Sequence, residues 1–425
     1  MRTRITGALR RHATYANIVA TICLFTVITG TAWAAATITG AQIKNETITG
    51  KDVKNRSLTG ADIKSGVIPS YTAGDGLLKS GNRFYGKGTP YERVVVVAKS
   101  GGDYTSVQSA IDSITDATDD KRYLVWVAPG IYTERVTTQS FIDLQGAGES
   151  DTVIESTAGA SVAAGAVVTI GGNNSTIRDL TIRNANGGAA YATGLYSLSH
   201  DIFTVKHVTI DVQHGTTEND ATYLDTSDGS FTDVTVDAGT NSDLLSIGFN
   251  ITNGSAPTIT DSTIAGDGLS CIGVRQFGST SPDITRSNIS CSGDTSTFGV
   301  SNVDTGGGTT IVDSTIMASA GLGAGDATGI FTGGGDVSLQ NVKVTGMSLG
   351  GNSYGVELGG SAAGTLTALG SQILGISGGV NLSVASTTVN IGGTMVVGGI
   401  MGTDAASATK QCASSWDQAY AALTC

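Results

Sequence analysis

Charged side chains are scarce in this chain, at 14% of residues, and proline is scarcer still, with 5 against 60 glycines. Few charges argue against solvated helices and against a disordered tail, because both need many polar groups to hold the chain in water. Leucine, lysine and glutamate are sparse beside threonine, serine, valine and isoleucine, a balance that favours strands joined by many tight turns. Basic residues are too few for a nucleic-acid surface. The net charge is −12, and with the four arginines of the first 35 residues set aside it is −16. A body of that sign repels phosphate backbones and anionic lipid, so no nucleic-acid partner is expected. No CxxC pair occurs, so a zinc site has no support.

Charge is also absent between His12 and Lys44. Ala16 to Ala36 is apolar, long enough to cross a bilayer, and preceded by arginines. Ala32-Trp33-Ala34 has the small-x-small form of a cleavage site. Residues 1–36 therefore read as a signal peptide or a retained anchor. Both place the remainder at the cell surface or outside the cell, with contact to the membrane only through this segment. Cys23 lies inside it. The other four cysteines, Cys271, Cys291, Cys412 and Cys425, are even in number, which permits disulfides outside the cytosol. Cys271–Cys291 would tie neighbouring turns of the body, and Cys412–Cys425 would close a short C-terminal loop.

Residues 37–69 place aliphatics at every fifth position: Ile38, Ile43, Ile48, Val53, Leu58, Ile63 and Ile68. That period fits neither a helix nor a simple strand and resembles pentapeptide repeats. It is read as a stalk, followed by a linker over 70–92. Within the linker, YTAGDGLLKSGNRF resembles a short β motif of extended surface proteins.

From residue 93 to 400 the pattern predicts an all-β fold, a right-handed parallel β-helix, with a short capping helix near its start. Strands ending at Ile182, Ile210, Val236, Ile264, Ile289, Ile316, Val344 and Ile373 recur at separations of 25 to 29 residues. A second strand recurs in phase, marked by Gly194, Thr222, Ser246, Gly273, Gly299, Gly329, Gly355 and Gly379. Two markers that hold one long period indicate stacked coils about 4.8 Å apart. A capping helix is expected at Val107, Ala110, Ile111 and Ile114, because the first coil would otherwise expose its apolar edge. Residues 401–425 read as a tail.

Three candidate columns follow from that repeat. Three positions before each first-strand aliphatic stand Asp179, His207, Asp233, Asp261, Arg286, Asp313, Asn341 and Gly370. They are expected to be short polar residues bonding to turn backbone. On the second strand, Tyr196, Leu224, Gly248, Arg275, Ser301, Phe331, Glu357 and Asn381 are expected to share one place. If that place faces outward it forms a mixed polar and aromatic stripe, either an ordinary solvent face or one suited to sugar rings. Acids at Asp211, Glu218, Asp220, Asp225 and Asp228 are dense, and the expectation is a solvated acidic face. His200, His207 and His214 fall seven apart, which is not a period that brings ligands onto one face, so no metal site is expected.

The segments VAKSGGDYTSVQSAIDSI, VWVAPGIYTERV and IDLQGAGESDTVI, over about residues 95–155, resemble the start of a pectin methylesterase domain. They include a GxYxE motif as Gly130, Tyr132 and Glu134. The resemblance implies a pectin-lyase-like β-helix and an esterase that uses two aspartates, in motifs like QDTL and DFIFG. An arginine in a motif like LGRPW and oxyanion-stabilising glutamines complete the set. One carboxylate attacks the ester carbonyl, a neighbouring protonated one acts as acid, and amide donors hold the oxyanion. None of those motifs occurs here. The nearest fragments are TYLDTSDG around Asp225 and GVRQFG around Arg275 and Gln276. They are expected two coils apart, with Asp225 one place further along, hence about 10 Å apart. A lyase of this fold would need an aspartate cluster around calcium, and no DxDxDG spacing occurs, so no cofactor is expected. The reading is an exported, non-catalytic β-helix that binds polysaccharide or serves as an adhesive or structural element. A divergent esterase or lyase acting on pectin-like polysaccharide is the alternative.

Overall fold

The computed structural model describes residues 15–33, 77–80, 83–86 and, between 91 and 417, all but 187–188, 240–243, 304–305, 324, 361, 385–386, 403–408, 414 and 416. The chain divides into two units, Met1–Gly74 and Asp75–Cys425. In the first, the apolar segment forms a helix of 19 residues, Tyr15–Trp33. Among the described residues no helix is long and apolar enough to cross a membrane. The five-residue repeat of 37–69 lies outside the described residues.

The second unit starts with an antiparallel hairpin, Leu77–Ser80 on Arg83–Gly86, and then winds into a parallel β-solenoid of about eleven turns. One face is an eleven-stranded parallel sheet from Val136–Thr137 to Ile400–Met401. Opposite it, three long strands, Ser175–Asn186, Phe203–Val212 and Ser230–Ala238, run unbroken around a corner. From Thr258 onward the same path divides into two short strands per coil, as in Thr258–Thr260 and Thr263–Gly268. The ladder continues beyond the expected boundary at 400, because Thr409–Ala413 still pairs in parallel with Thr388–Gly392.

The core is built from stacked aliphatics. Ile182, Ile210, Val236, Ile264, Ile289, Ile316, Val344, Ile373 and Val396 pair in one unbroken register from coil to coil. All of them are fully buried. Each such side chain contributes roughly 1.5–3 kcal/mol by leaving water, and the column repeats that gain at every turn.

The polar corner column stacks as expected, but its side chains bond to side chains of neighbouring coils rather than to turn backbone. Asp179, His207, Asp233, Asp261, Arg286, Asp313 and Asn341 all take positive φ, between 47° and 58°, and Gly370 takes 60°. That left-handed turn lets one strand leave the other at an angle. Short Asp and Asn tolerate it best. His207 is held between Asp179 at 3.2 Å and Asp233 at 3.6 Å. Arg286, the bulkiest member, makes two bonds to Asp261 at 2.6 and 2.8 Å.

One residue further on, a ladder escaped the sequence reading. Ser262, Ser287, Ser314, Ser371 and Thr394 are buried. The hydroxyl oxygen of each accepts the N–H of the residue at the same place one coil earlier, at 3.0 to 3.2 Å. Backbone groups that the corner leaves unpaired are thereby satisfied inside the core.

The cap is the helix Val107–Asp112. Glu134 receives the Ser106 hydroxyl and the Val107 and Gln108 N–H groups at 2.7, 2.8 and 3.0 Å, so it seals the helix N-terminus. Tyr132 is buried, donates to the Ala128 carbonyl at 2.9 Å and lies under Lys99. Gly130 has φ of 150° at the entry to this strand. The GxYxE motif therefore fastens the cap to the first coils.

Cys271 and Cys291 are disulfide-bonded, with Cα atoms 5.7 Å apart, joining two faces through the core. A Cys412–Cys425 link falls outside the described side chains.

Candidate functional site

The outward column of the eleven-stranded sheet differs from the expected one in two coils. Tyr196 pairs with Tyr223 rather than Leu224, Tyr223 pairs with Asn250 rather than Gly248, and Asn250 pairs with Arg275. Leu224 is buried and Gly248 belongs to an inner glycine column. A Cβ on Gly248 or Gly273 would meet the Cγ2 of Ile264 or Ile289 at 2.4 Å, so this column needs glycine or, at one coil, Ala221. Ala221 hides the marker in that coil, and a glycine-based alignment slips there. Beyond Arg275 the column runs as expected through Ser301, Phe331, Glu357 and Asn381.

With that register, a groove of about 530 Å³ opens on the outer face of the strands Tyr191–Leu198, Glu218–Asp225, Leu245–Thr252 and Ser270–Phe277. The short helix Val162–Gly165, capped by Ser161, forms one wall. Tyr196 and Tyr223 stack with ring centres 5.6 Å apart and planes at 25°. Phe277 stands at the far rim, 45% exposed.

Two ionisable groups, Glu218 and Arg275, lie on the floor, and a third, Asp220, is sealed behind it. Arg275 Nη1 donates to Glu218 Oε1 at 3.3 Å. Asp220, two residues along the same face of the strand from Glu218, is fully buried. Its Oδ1 accepts from Asn250 Nδ2 at 2.9 Å, while its Oδ2 and Asn250 Oδ1 have no partner among the described residues. Burial holds the Asp220 carboxyl well above the usual carboxylate range, and the Glu218 charge adds to this. The Asn250 bond and Arg275 oppose it without cancelling it. Glu218 is also raised by burial, with Arg275 pulling it back. The two carboxyls are therefore distinct, one sealed and held well above the usual carboxylate range and one paired with a cation, a pattern common at acid–base sites.

The expectation of a solvated acidic face fails at Asp220, which water does not reach. A signal existed: in the true register Asp220 pairs with Thr193 and Ile247, and the column continues to Ile272 and Phe298. A charge in such a column stands out once Ala221 is aligned with the glycines.

Asp225 lines the groove, and its Oδ1 accepts from Asn253 Nδ2 at 2.8 Å and Thr226 Oγ1 at 3.1 Å. It pairs with Thr252, which pairs with Phe277, so it lies two places past Arg275, not one. Gln276 is not in the groove. It is buried on the inner side, where its Oε1 accepts from Thr280 and Thr309. Further along the same face, Phe331 packs edge-on to Phe298. Glu357 accepts from Asn381 at 3.0 Å and Thr328 at 3.4 Å. Among the described residues no group of three or more His, Cys, Asp or Glu side chains is placed to hold a metal ion.

Residues 93–237 match the Pectinesterase family model. A curated relative, "Putative pectinesterase 11" of Arabidopsis thaliana, is 34% identical over 107 residues, which is 24% of this chain. The chain spans 30% of that relative's length. Three solved structures are similar at low identity. The pectin methylesterase from Yersinia enterocolitica is 16% identical, with 50% of this chain and 79% of that one covered and a TM-score of 0.39. The enzyme from carrot is 15% identical, with 75% and 87% covered and a TM-score of 0.41. The enzyme from Aspergillus niger is 17% identical, with 53% and 76% covered and a TM-score of 0.41. The matched segment contains the cap, the first coils, both tyrosines of the stack, Glu218 and Asp220, and this chain is a parallel β-helix protein whose residues 93–237 resemble the Pectinesterase family.

Proposed function

We propose that the groove is an ester-hydrolysing site for methyl-esterified, pectin-like polysaccharide. The observation that carries this is a fully buried Asp220 carboxyl, raised by desolvation, two residues from an arginine-bound Glu218 and beside a tyrosine platform. Glu218 is the attacking carboxylate, and Arg275 fixes its direction. Its oxygen bonds to the ester carbonyl carbon, and the methoxy C–O bond breaks. Asp220, whose carboxyl is sealed in the resting fold, gives its proton to the departing methanol in a state of the groove that uncovers it. The acyl–Glu218 anhydride is then opened by water, whose proton passes to the Asp220 carboxylate, and Glu218 returns as a carboxylate. The bond from Asn250 to Oδ1 leaves Oδ2 as the atom that carries the proton. The stacked tyrosines offer an apolar face to a sugar ring.

The test is methanol release from highly methyl-esterified pectin by the purified protein. Wild type is expected to release methanol. Glu218→Gln and Asp220→Asn are each expected to lower the rate by ~10²-fold or more. No methanol from wild type, or unaltered rates in both variants, contradicts the reading.

A second reading, polysaccharide binding without turnover, is favoured by the complete burial of Asp220. Retention on pectin with no methanol release would select it. Location outside the cytosol is proposed on the disulfide Cys271–Cys291, which an oxidising compartment maintains, together with the basic-then-apolar start of the sequence.

A further inference from the structure

Among the residues that line the groove, Arg275 is the one cation, and it is engaged by Glu218 at 3.3 Å. A free uronate carboxylate entering the groove would meet no unpaired positive charge. It would meet Asp225 instead. That carboxylate is fixed by Asn253 and Thr226 rather than neutralised by a cation. It lines the same groove as Tyr196 and Tyr223 and stands two residues beyond Tyr223 on the strand Glu218–Asp225. The chain as a whole carries −12, so no long-range field offsets the repulsion.

We propose that Asp225 is a specificity-determining residue of the groove: it bars free galacturonate from the sugar position on the Tyr196–Tyr223 platform and admits methyl-esterified or other neutral sugars. This rests on the groove being the polysaccharide site proposed above. The consequence is a site that works within esterified stretches and weakens its own hold as carboxylates accumulate around it. Like charges brought together in a desolvated groove select against the wrong partner more than they strengthen the right one.

The experiment measures equilibrium binding of two galacturonate oligomers of equal length, one fully methyl-esterified and one fully de-esterified, with methanol release followed on the same preparations. Wild type at low salt is expected to bind the esterified oligomer about tenfold tighter or more, and the gap is expected to narrow as salt screens the repulsion. Asp225→Asn keeps the oxygen that Asn253 bonds, and it is expected to close most of that gap at low salt. Asp225→Glu is expected to keep it. Wild type that binds the de-esterified oligomer as well or better overturns the proposal. So does an unaltered ratio in Asp225→Asn, or binding of neither oligomer. A preserved preference with no methanol from any preparation defeats the esterase reading while supporting the discrimination.

Discussion

The same outward column carries two different chemistries along the solenoid. Over the coils from Tyr191 to Phe277 it presents two stacked tyrosines, Asn250 and Arg275, beside a buried carboxyl. Over the coils from Thr297 to Leu382 it presents Ser301, Phe331, Glu357 and Asn381. The backbone ladder, the inner aliphatics and the glycine column are alike in both regions. Glu357 is raised by burial as Glu218 is, yet its partners are the neutral Asn381 and Thr328. What separates a candidate active site from a plain coil here is therefore a cation for the half-buried carboxylate of Glu218 and a second, sealed carboxyl two residues away.

Several changes would break or sharpen that contrast. The largest effect is expected from the element both regions share. Ile289→Ala removes buried volume from the aliphatic column and should cost about 2–5 kcal/mol in urea unfolding, with both regions melting together. Loss of one region alone would show that the column does not couple them. Next, Cys271→Ser with Cys291→Ser opens a link at the boundary between the regions, and is expected to lower stability by about 2–4 kcal/mol. Glu357→Gln should leave methanol release within twofold of wild type, whereas Glu218→Gln abolishes most of it. Equal losses would erase the distinction between the two carboxylates.

The smallest expected effect is on pH dependence. Asp220 has a folded-state pKa above its unfolded value of about 3.9, so the native state holds a proton that the unfolded chain releases. Its contribution to stability is thus most favourable in acid and declines as pH rises from about 4 towards the folded value. Asp220→Asn removes the ionisation, so the variant should gain on wild type between pH 4 and 7, as followed by thermal unfolding. A constant difference across that range would mean that the carboxyl is not protonated in the fold.

Much of the architecture was legible because a solenoid repeats one demand at every turn. Ile182 through Ile373 had to be apolar in each coil, and Asp179 through Gly370 had to tolerate a left-handed corner. The site was less legible. Its register depended on Ala221, which stands where other coils use glycine, and Asp225 was singled out through the TYLDTSDG fragment while Asp220 was read as part of a solvated acidic face. Gln276 looked like an oxyanion donor beside Arg275, but strand alternation sends it inward to Thr280 and Thr309. The serine ladder was hidden because a lone serine near a turn is unremarkable until the coils are stacked.

The central claim is that Asp220 stays protonated at neutral pH beside an ionised Glu218. Infrared difference spectra of wild type against Asp220→Asn, recorded at pH 7, test this directly. A protonated-carboxyl band present in wild type and lost in the variant is the expected result, and a carboxylate band in its place would contradict the account.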